Sequence, residues 1–87
     1  MIDQIRRSSV SILLNISEGF ERKTNKDFSK FINMAKASAG EVRAILYIAY
    51  DLEYISDKEF KILVNNISAI SKQLGGFETY LLKSIKK

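Results

Sequence analysis

Four basic side chains lie close together in the first half of the chain, and their chemistry suits phosphate binding. Arg22, Lys23, Lys26 and Lys30 all fall within residues 22–30. Clustered cations attract the phosphate backbone of RNA or DNA whatever the base sequence. The same residues would serve equally well as an ordinary solvated loop, and the spacing alone does not separate the two interpretations. This cluster is the first candidate for a nucleic-acid contact.

A second basic pair, Arg6 and Arg7, precedes that cluster. Adjacent residues project about 100 degrees apart around a helix, so the two guanidinium groups face different surroundings. One of them can form an ion pair with Glu18 or Glu41 that orients neighbouring helices, while the other faces solvent or a phosphate. We assign the structural ion pair to Arg6 and add Arg7 to the candidate nucleic-acid contacts.

Asn15 and Glu18 lie three residues apart and therefore share one face of a helix, close to its apolar side. A buried Asn commonly fixes the register between packed helices, and we favour that role for Asn15 over a ligand site. Arg6, Asn15, Glu18 and Glu41 together form the predicted set of structural polar residues.

The composition argues against an enzyme. The chain contains no His and no Cys, which removes the commonest general base, the thiol nucleophile, disulfides and the usual zinc ligands. It also lacks the GxxxxGK[ST] phosphate loop. We therefore expect a non-enzymatic protein with no metal and no cofactor. A net charge of +4 permits nucleic-acid binding without requiring it.

The sequence also predicts the compartment. No run of 18 or more apolar residues is present, and the N-terminus does not read as a secretory signal. The absence of Cys suits a reducing environment. We expect a cytoplasmic protein that has no membrane partner.

Hydrophobic residues recur with helical spacing in three segments, and the repeat of seven in the second and third is typical of packed helices. In the second segment the two interleaved columns are Phe28, Ala35, Val42 and Ala49, and Phe31, Ser38, Ile45 and Leu52. The predicted helices span about 3–20, 25–54 and 57–85. Short connections make consecutive helices antiparallel. The expected fold is all-α: an up-down antiparallel bundle of three long helices in one domain, residues 1–87.

The helix boundaries carry recognisable signals. Gly19 lies where the first helix should end or kink, and Thr24 or Asn25 can cap the second helix. Ser56 followed by Glu59 has the spacing of a capping box at the start of the third helix.

Two stretches depart from ideal helix. Residues 35–40 are rich in small side chains, which favours close approach of a neighbouring backbone over a surface left open for a ligand. Gly75 and Gly76 lie inside an unbroken heptad pattern, where a kink or a tight helix crossing is more typical than a phosphate loop.

Two motifs near the N-terminus resemble a known family. They are QIRRSSVSI at residues 4–12 and NISEGF at residues 15–20. The likeness continues through the KDF of residues 26–28, the small-residue stretch 35–40 and LGGF at residues 74–77. These segments are similar to those of the bacterial four-helix bundle proteins known as 23S rRNA intervening-sequence proteins, and the likeness covers essentially the whole chain.

That resemblance implies an up-down bundle that commonly assembles into a ring-like homo-oligomer, often a pentamer. A related protein, the accessory variability determinant of diversity-generating retroelements, associates with nucleic acid and with a reverse transcriptase. Family members usually begin with a further amphipathic helix of about 30 residues, and this chain starts where that helix should have finished. Three helices without it should expose an apolar groove that needs covering.

The sequence is compatible with two functions from different classes. The first is a basic, oligomeric accessory protein that binds RNA or DNA. The second is a protein-protein interaction scaffold, whose apolar faces recruit a protein partner and whose charge serves solubility.

Overall fold

The computed structural model describes residues 1–84, and over that range the protein is all-helical, as predicted. Its three helices are α1, Ile2–Phe20, α2, Asn25–Asp51, and α3, Asp57–Ser84. The turns between them are short, so α1 and α3 both run antiparallel to α2.

Side-chain caps set the starts of two helices. The Thr24 hydroxyl oxygen accepts the Asp27 N–H at 3.2 Å, which makes Thr24 the N-cap of α2. The capping box ahead of α3 also forms: the Ser56 N–H donates to Glu59 Oε1 at 2.8 Å, and the Glu59 N–H donates to Ser56 Oγ at 3.1 Å. Each cap satisfies helix N–H groups that have no carbonyl partner within the helix.

The end of α2 differs from the prediction, because the helix stops at Asp51 instead of continuing to residue 54. The Tyr54 N–H donates to the Ala49 carbonyl at 2.9 Å, and the Glu53 N–H donates to that of Tyr50 at 3.0 Å. This is the Schellman pattern, which needs a left-handed residue, and Glu53 supplies it with φ 63. Glycine usually occupies that position, so the sequence carried no signal of the stop.

Within the described residues, α1 and α3 each pack along α2 and make no close backbone contact with each other. The Cα atoms extend over 50 × 21 × 13 Å. Three helices packed about 8–10 Å apart in one flat row would have a much smaller third dimension than 13 Å. Three helices in a closed triangle would have a smaller second dimension than 21 Å. The dimensions fit three corners of a square, with α2 at the middle corner.

The apolar core follows the inner face of α2. Ile32 is fully buried on this face. The remaining members of the cluster are Ile12, Ala35, Ala39, Val42, Leu46, Ile67, Leu74 and Leu81. Because α2 supplies most of this set, it is the element on which both neighbouring helices depend.

Small and polar side chains form much of the contact between α1 and α2. Ser8, Ser38 and Gly19 are buried there. The Ser11 and Ser38 hydroxyls are hydrogen-bonded at 2.8 Å. A Cβ on Gly19 would lie 2.6 Å from Cδ1 of Phe28, so the glycine permits the close approach of the two helices. Gly19 is therefore a packing residue within the contact between α1 and α2. The helix α1 ends at Phe20, as predicted.

Aromatic rings and one ion pair form much of the contact between α2 and α3. Phe60 of α3 stacks on Tyr50 at a centroid distance of 4.2 Å and meets the edge of Tyr47 at 5.0 Å. Further along, Lys36 Nζ lies 3.0 Å from Glu78 Oε1. This contact is held by large side chains, unlike that between α1 and α2.

The glycines of α3 take part in no tight crossing, whereas half of the small-residue stretch of α2 is buried in helix contacts. The helix continues through Gly75 and Gly76. A Cβ on Gly75 would meet only the Lys36 side chain, at 3.8 Å, and one on Gly76 would meet nothing within 4 Å, so no tight crossing occurs there. Within residues 35–40, Ala35, Ser38 and Ala39 are buried and the others are half-buried or exposed.

α1 and α3 flank Phe28 without close backbone contact between them, and we call the apolar surface on this side of the molecule the α1–α3 groove. Phe28 contacts both Phe20 of α1, at 4.9 Å, and Phe77 of α3, at 5.2 Å, so these rings mark the two walls. Leu13 lies seven residues before Phe20, Ile70 lies seven before Phe77, and both are exposed on the same faces. The empty corner of the square is therefore lined by hydrophobic side chains.

Candidate nucleic-acid interface

The turn between α1 and α2 meets the C-terminal end of α3, because α3 returns to the end of the molecule from which α2 departs. Lys23, Thr24, Asn25, Lys26 and Ser84 line one shallow pocket of about 530 Å³ at this point. Both lysines are exposed. We call this region, with the neighbouring Arg22, Lys30 and Lys83, the basic end.

Arg22 has a structural role within the basic end. Its Nε donates to the Glu18 carbonyl at 3.2 Å, and its Nη2 lies 3.2 Å from Glu18 Oε2. The guanidinium also lies over the Phe31 ring, 5.1 Å from the centroid. These contacts cap the last turn of α1 and leave 38% of the side chain exposed, so Arg22 has less freedom to follow a phosphate than its lysine neighbours.

Lys30 is partly neutralised by its own helix. Its Nζ lies 3.8 Å from Asp27 Oδ1, and both side chains are largely exposed. Exposed pairs of this kind contribute little and exchange readily with solvent. Lys30 therefore remains available as a cation, although a nearby carboxylate opposes it.

The structure adds a cation that the first-half cluster did not include. Lys83 lies exposed in the last turn of α3, next to Ser84 of the pocket. Sequence spacing does not place Lys83 near Lys23 and Lys26, since only the antiparallel path of α3 brings the end of this helix to the turn between α1 and α2. Lys86 and Lys87 lie outside the described residues.

Arg7 lies away from the basic end. It precedes Phe20, the last residue of α1, by thirteen positions, which corresponds to about 20 Å along the helix. It lines an open groove of about 660 Å³ between α1 and α2 together with Glu41. Arg7 therefore does not lie near the other predicted nucleic-acid contacts.

The ion pair predicted for Arg6 does not form. Arg6 Nη1 lies 4.0 Å from Asp3 Oδ1, one turn earlier on the same exposed face. Glu18 is twelve residues further along α1, or about 18 Å, and pairs with Arg22 instead. Glu41 is exposed on α2 and belongs to no ion pair among residues 1–84. None of these acids is buried as a helix-orienting partner.

Asn15 takes part in a polar chain between helices. Its Nδ2 donates to the Ser11 carbonyl at 2.8 Å and lies 3.1 Å from Ser11 Oγ. Ser11 Oγ in turn is bonded to Ser38 Oγ on α2. The half-buried Asn15 therefore supports the pairing of α1 with α2 through Ser11, a link that residue spacing within one helix did not reveal.

The opposite end of the molecule is rich in carboxylates. Asp51, Glu53 and Asp57 surround the turn between α2 and α3. The Tyr50 hydroxyl donates to Asp57 Oδ1, and this hydrogen bond, together with the nearby negative charge, raises the pKa of Tyr50 above its ordinary value. Carboxylates therefore line the pocket at this turn, whereas lysines line the pocket at the basic end, which favours anion binding at the basic end.

Neither a cluster of metal-binding side chains nor a membrane-spanning helix is present in the part of the chain that the structure describes. Residues 1–84 contain no group of three or more carboxylate, His or Cys side chains placed to hold a metal ion. None of the three described helices has the length and apolar character needed to cross a membrane.

The family comparison confirms the resemblance that the motifs of α1 indicated. No curated protein and no solved structure matches the chain. The model of the family described as 23S rRNA-intervening sequence protein matches residues 1–76, which include α1, α2 and most of α3. The chain therefore belongs to the 23S rRNA-intervening sequence protein family.

Proposed function

We propose that this protein is a non-enzymatic accessory protein that binds the phosphate backbone of RNA or DNA through its basic end. The observation that carries the proposal is the meeting of Lys23 and Lys26 with the C-terminal turn of α3 in one exposed pocket. Lys83 adds a further exposed cation in the last turn of α3, next to Ser84 in the chain.

The chemistry of this end suits backbone contact more than base reading. Lysine ammonium groups act as mobile point charges, whereas base readout needs fixed bidentate donors or stacking rings. Binding should therefore show little sequence preference and should weaken steeply as salt is added, because bound phosphates release counterions. One subunit offers few contacts, so assembly of several copies would strengthen binding by adding basic ends.

The experiment compares two double variants with the same change of charge. Lys23→Gln with Lys26→Gln removes two cations from the basic end. Lys58→Gln with Lys61→Gln removes two exposed cations from the opposite end. Affinity for a generic single-stranded RNA is measured across a range of salt concentrations, with thermal unfolding as the check on folding.

We expect the basic-end variant to lose RNA affinity and to lower the slope of log K against log salt by about 1.4, or 0.7 for each lost contact. The variant with Lys58→Gln and Lys61→Gln should retain most of the RNA affinity and most of its salt dependence. Equal effects from the two variants, or no effect from either, would contradict the proposed interface.

A second candidate, a protein-protein interaction scaffold, is favoured by the α1–α3 groove. Leu13, Phe20 and Ile70 are exposed there beside the core, and a hydrophobic surface of this kind commonly binds another protein surface. We propose that the protein self-associates in either case; the ring-like assembly, often a pentamer, that the resemblance implies is one form this can take.

Light scattering coupled to size exclusion separates these candidates. An oligomer that persists at high salt and shifts with RNA only at low salt is expected for the nucleic-acid function. An oligomer indifferent to RNA at every salt concentration would favour the scaffold. A monodisperse monomer would rule out the proposed self-association.

A further inference from the structure

A second apolar surface lies on the outside of α1 and α2, on the side away from the α1–α3 groove. On α2 the residues Met34, Ala37, Glu41, Ala44 and Ile48 are exposed and recur at spacings of three and four. That spacing forms a straight seam along one face of a helix. We call these five residues, together with Arg7, Val10 and Leu14 of α1, the outer face.

The exposure of the apolar members is large. Leu14 is 60% exposed, Met34 52%, Ile48 50% and Val10 45%. The small side chains Ala37 and Ala44 between the larger ones would let another helix approach closely. An apolar seam of this kind on two adjacent helices is typical of a helix-packing surface.

The outer face carries one cation and one anion near its middle. Arg7 and Glu41 line the same open groove, but among the described residues neither forms an ion pair. The bond between Ser11 and Ser38 fixes which residues of the two antiparallel helices lie level. Counting from it, Arg7 is level with Glu41, and Leu14 is level with Met34, each within about 1.5 Å.

This placement makes the outer face complementary to itself. If a second copy is turned about an axis parallel to the helices, its α2 faces α1 of the first copy at unchanged height. Arg7 then meets Glu41 of the other copy, and Leu14 meets Met34 of the other copy. Turning the copy about an axis across the helices would instead set Arg7 against Arg7 and Glu41 against Glu41, which like-charge repulsion disfavours.

We propose that the outer face binds a second copy of this chain, with α1 of one copy against α2 of the next, an ion pair between Arg7 and Glu41, and a symmetry axis parallel to the helices. The inference rests on the proposed self-association and names its surface. Two copies that exchange both contacts close as a dimer, and the same contact repeated between successive copies closes as a ring.

The orientation has a consequence for the basic end. An axis parallel to the helices keeps every copy pointing the same way, so all basic ends lie on one side of the assembly. Their fields then add over a single surface, whereas an axis across the helices would place them on opposite sides.

Charge reversal tests the contact. Arg7→Glu and Glu41→Arg are each purified, and association is measured by light scattering and sedimentation against the wild-type chain. Lys72→Glu, an exposed reversal on α3, is the matched control. Far-UV circular dichroism and thermal unfolding verify that each variant is folded.

We expect either single reversal to weaken association on the order of 100-fold, because like charges then face each other across the contact. Mixing the two single variants should restore association, since each reversed side chain then meets the opposite charge on the other chain. The Lys72→Glu control should assemble like the wild type.

The possible failures can be told apart. A monomeric wild-type chain would overturn the self-association itself. A wild-type assembly that survives both reversals would overturn the outer-face contact and leave self-association standing. Single variants that dissociate but do not recover on mixing would overturn the pairing of Arg7 with Glu41.

Discussion

The contact between α1 and α2 and the contact between α2 and α3 use different kinds of side chain. Serines, an asparagine and a buried glycine bring α1 close to α2, whereas α3 meets α2 through aromatic rings, leucines and a lysine–glutamate pair. Short polar side chains give a contact that depends on exact geometry, because every hydroxyl needs its partner. Large apolar side chains give a contact that depends on buried area.

The largest expected effect comes from the apolar contact. Leu74→Ala removes a buried side chain of α3 and leaves a cavity against α2. We expect a loss of about 3 kcal/mol in the free energy of unfolding. Urea unfolding followed by circular dichroism measures it. Leu82→Ala, at an exposed position of the same helix, is the control and should change the value little.

The next effect comes from the close approach of α1 to α2. Gly19→Ala places a methyl group 2.6 Å from the Phe28 ring, which is itself held between Phe20 and Phe77. We expect destabilisation of about 1–2 kcal/mol despite the better helix propensity of alanine. Gly40→Ala meets nothing within 4 Å and should stabilise by about 1 kcal/mol. Thermal unfolding shifts of the same sign for both variants would contradict this explanation.

A smaller effect is expected from the hydroxyl pair between the helices. Ser11→Ala and Ser38→Ala each remove one side of the 2.8 Å hydrogen bond. In a double-mutant cycle the two should couple by about 1 kcal/mol, because the second substitution no longer leaves a buried hydroxyl without its partner. Additive single effects would show that the bond does not specify the pairing.

The smallest expected effect is on the pH dependence of folding stability, to which the two helix contacts contribute differently. Tyr50 has a raised pKa because it donates to Asp57, so its contribution to stability is present below the ordinary tyrosine pKa of 10.0 and is lost as the pH rises through its higher folded value. Glu59 has a lowered pKa because it accepts the Ser56 N–H, so its contribution is present above the ordinary value of 4.5 and is lost as the pH falls.

Unfolding midpoints measured across pH for the wild type, Tyr50→Phe and Glu59→Gln test this assignment. We expect Tyr50→Phe to flatten the alkaline side and Glu59→Gln to flatten the acid side. Both groups lie at the junction of α2 and α3. The polar chain from Asn15 to Ser38 contains no titratable side chain and should add no pH dependence of its own.

Features that depend on neighbours in sequence were predictable here. Thr24 and the Ser56–Glu59 box act over three residues, and the helices they start were placed correctly. Gly19 and Ser38 act through another helix: the small residues 35–40 indicated a close approach, but the sequence did not reveal that Ser11 and Phe28 are the residues that Ser38 and Gly19 meet. The stop at Glu53 escaped prediction because a glutamate occupies a conformation that glycine normally marks.

The candidate site also combines features that are local in sequence with features that depend on the fold. The cluster from Arg22 to Lys30 is local in sequence, and the structure keeps Lys23 and Lys26 together in one pocket. The neighbouring turn of α3 joins them only because the chain folds back twice. Arg22 could not be recognised as a cap for α1, since that role depends on the Glu18 carbonyl and on the Phe31 ring beneath the guanidinium.

The position of α2 at the middle corner of the three helices also orders their local opening. Since α1 and α3 make close backbone contact only with α2 among the described residues, we expect that either one can detach while the other remains packed on α2. Native-state hydrogen exchange should therefore find the slowest amides in α2, around Ile32 and Ala39. The 19-residue α1 is the shorter of the two outer helices and should exchange first, through a partial unfolding that leaves a helical hairpin of α2 and α3.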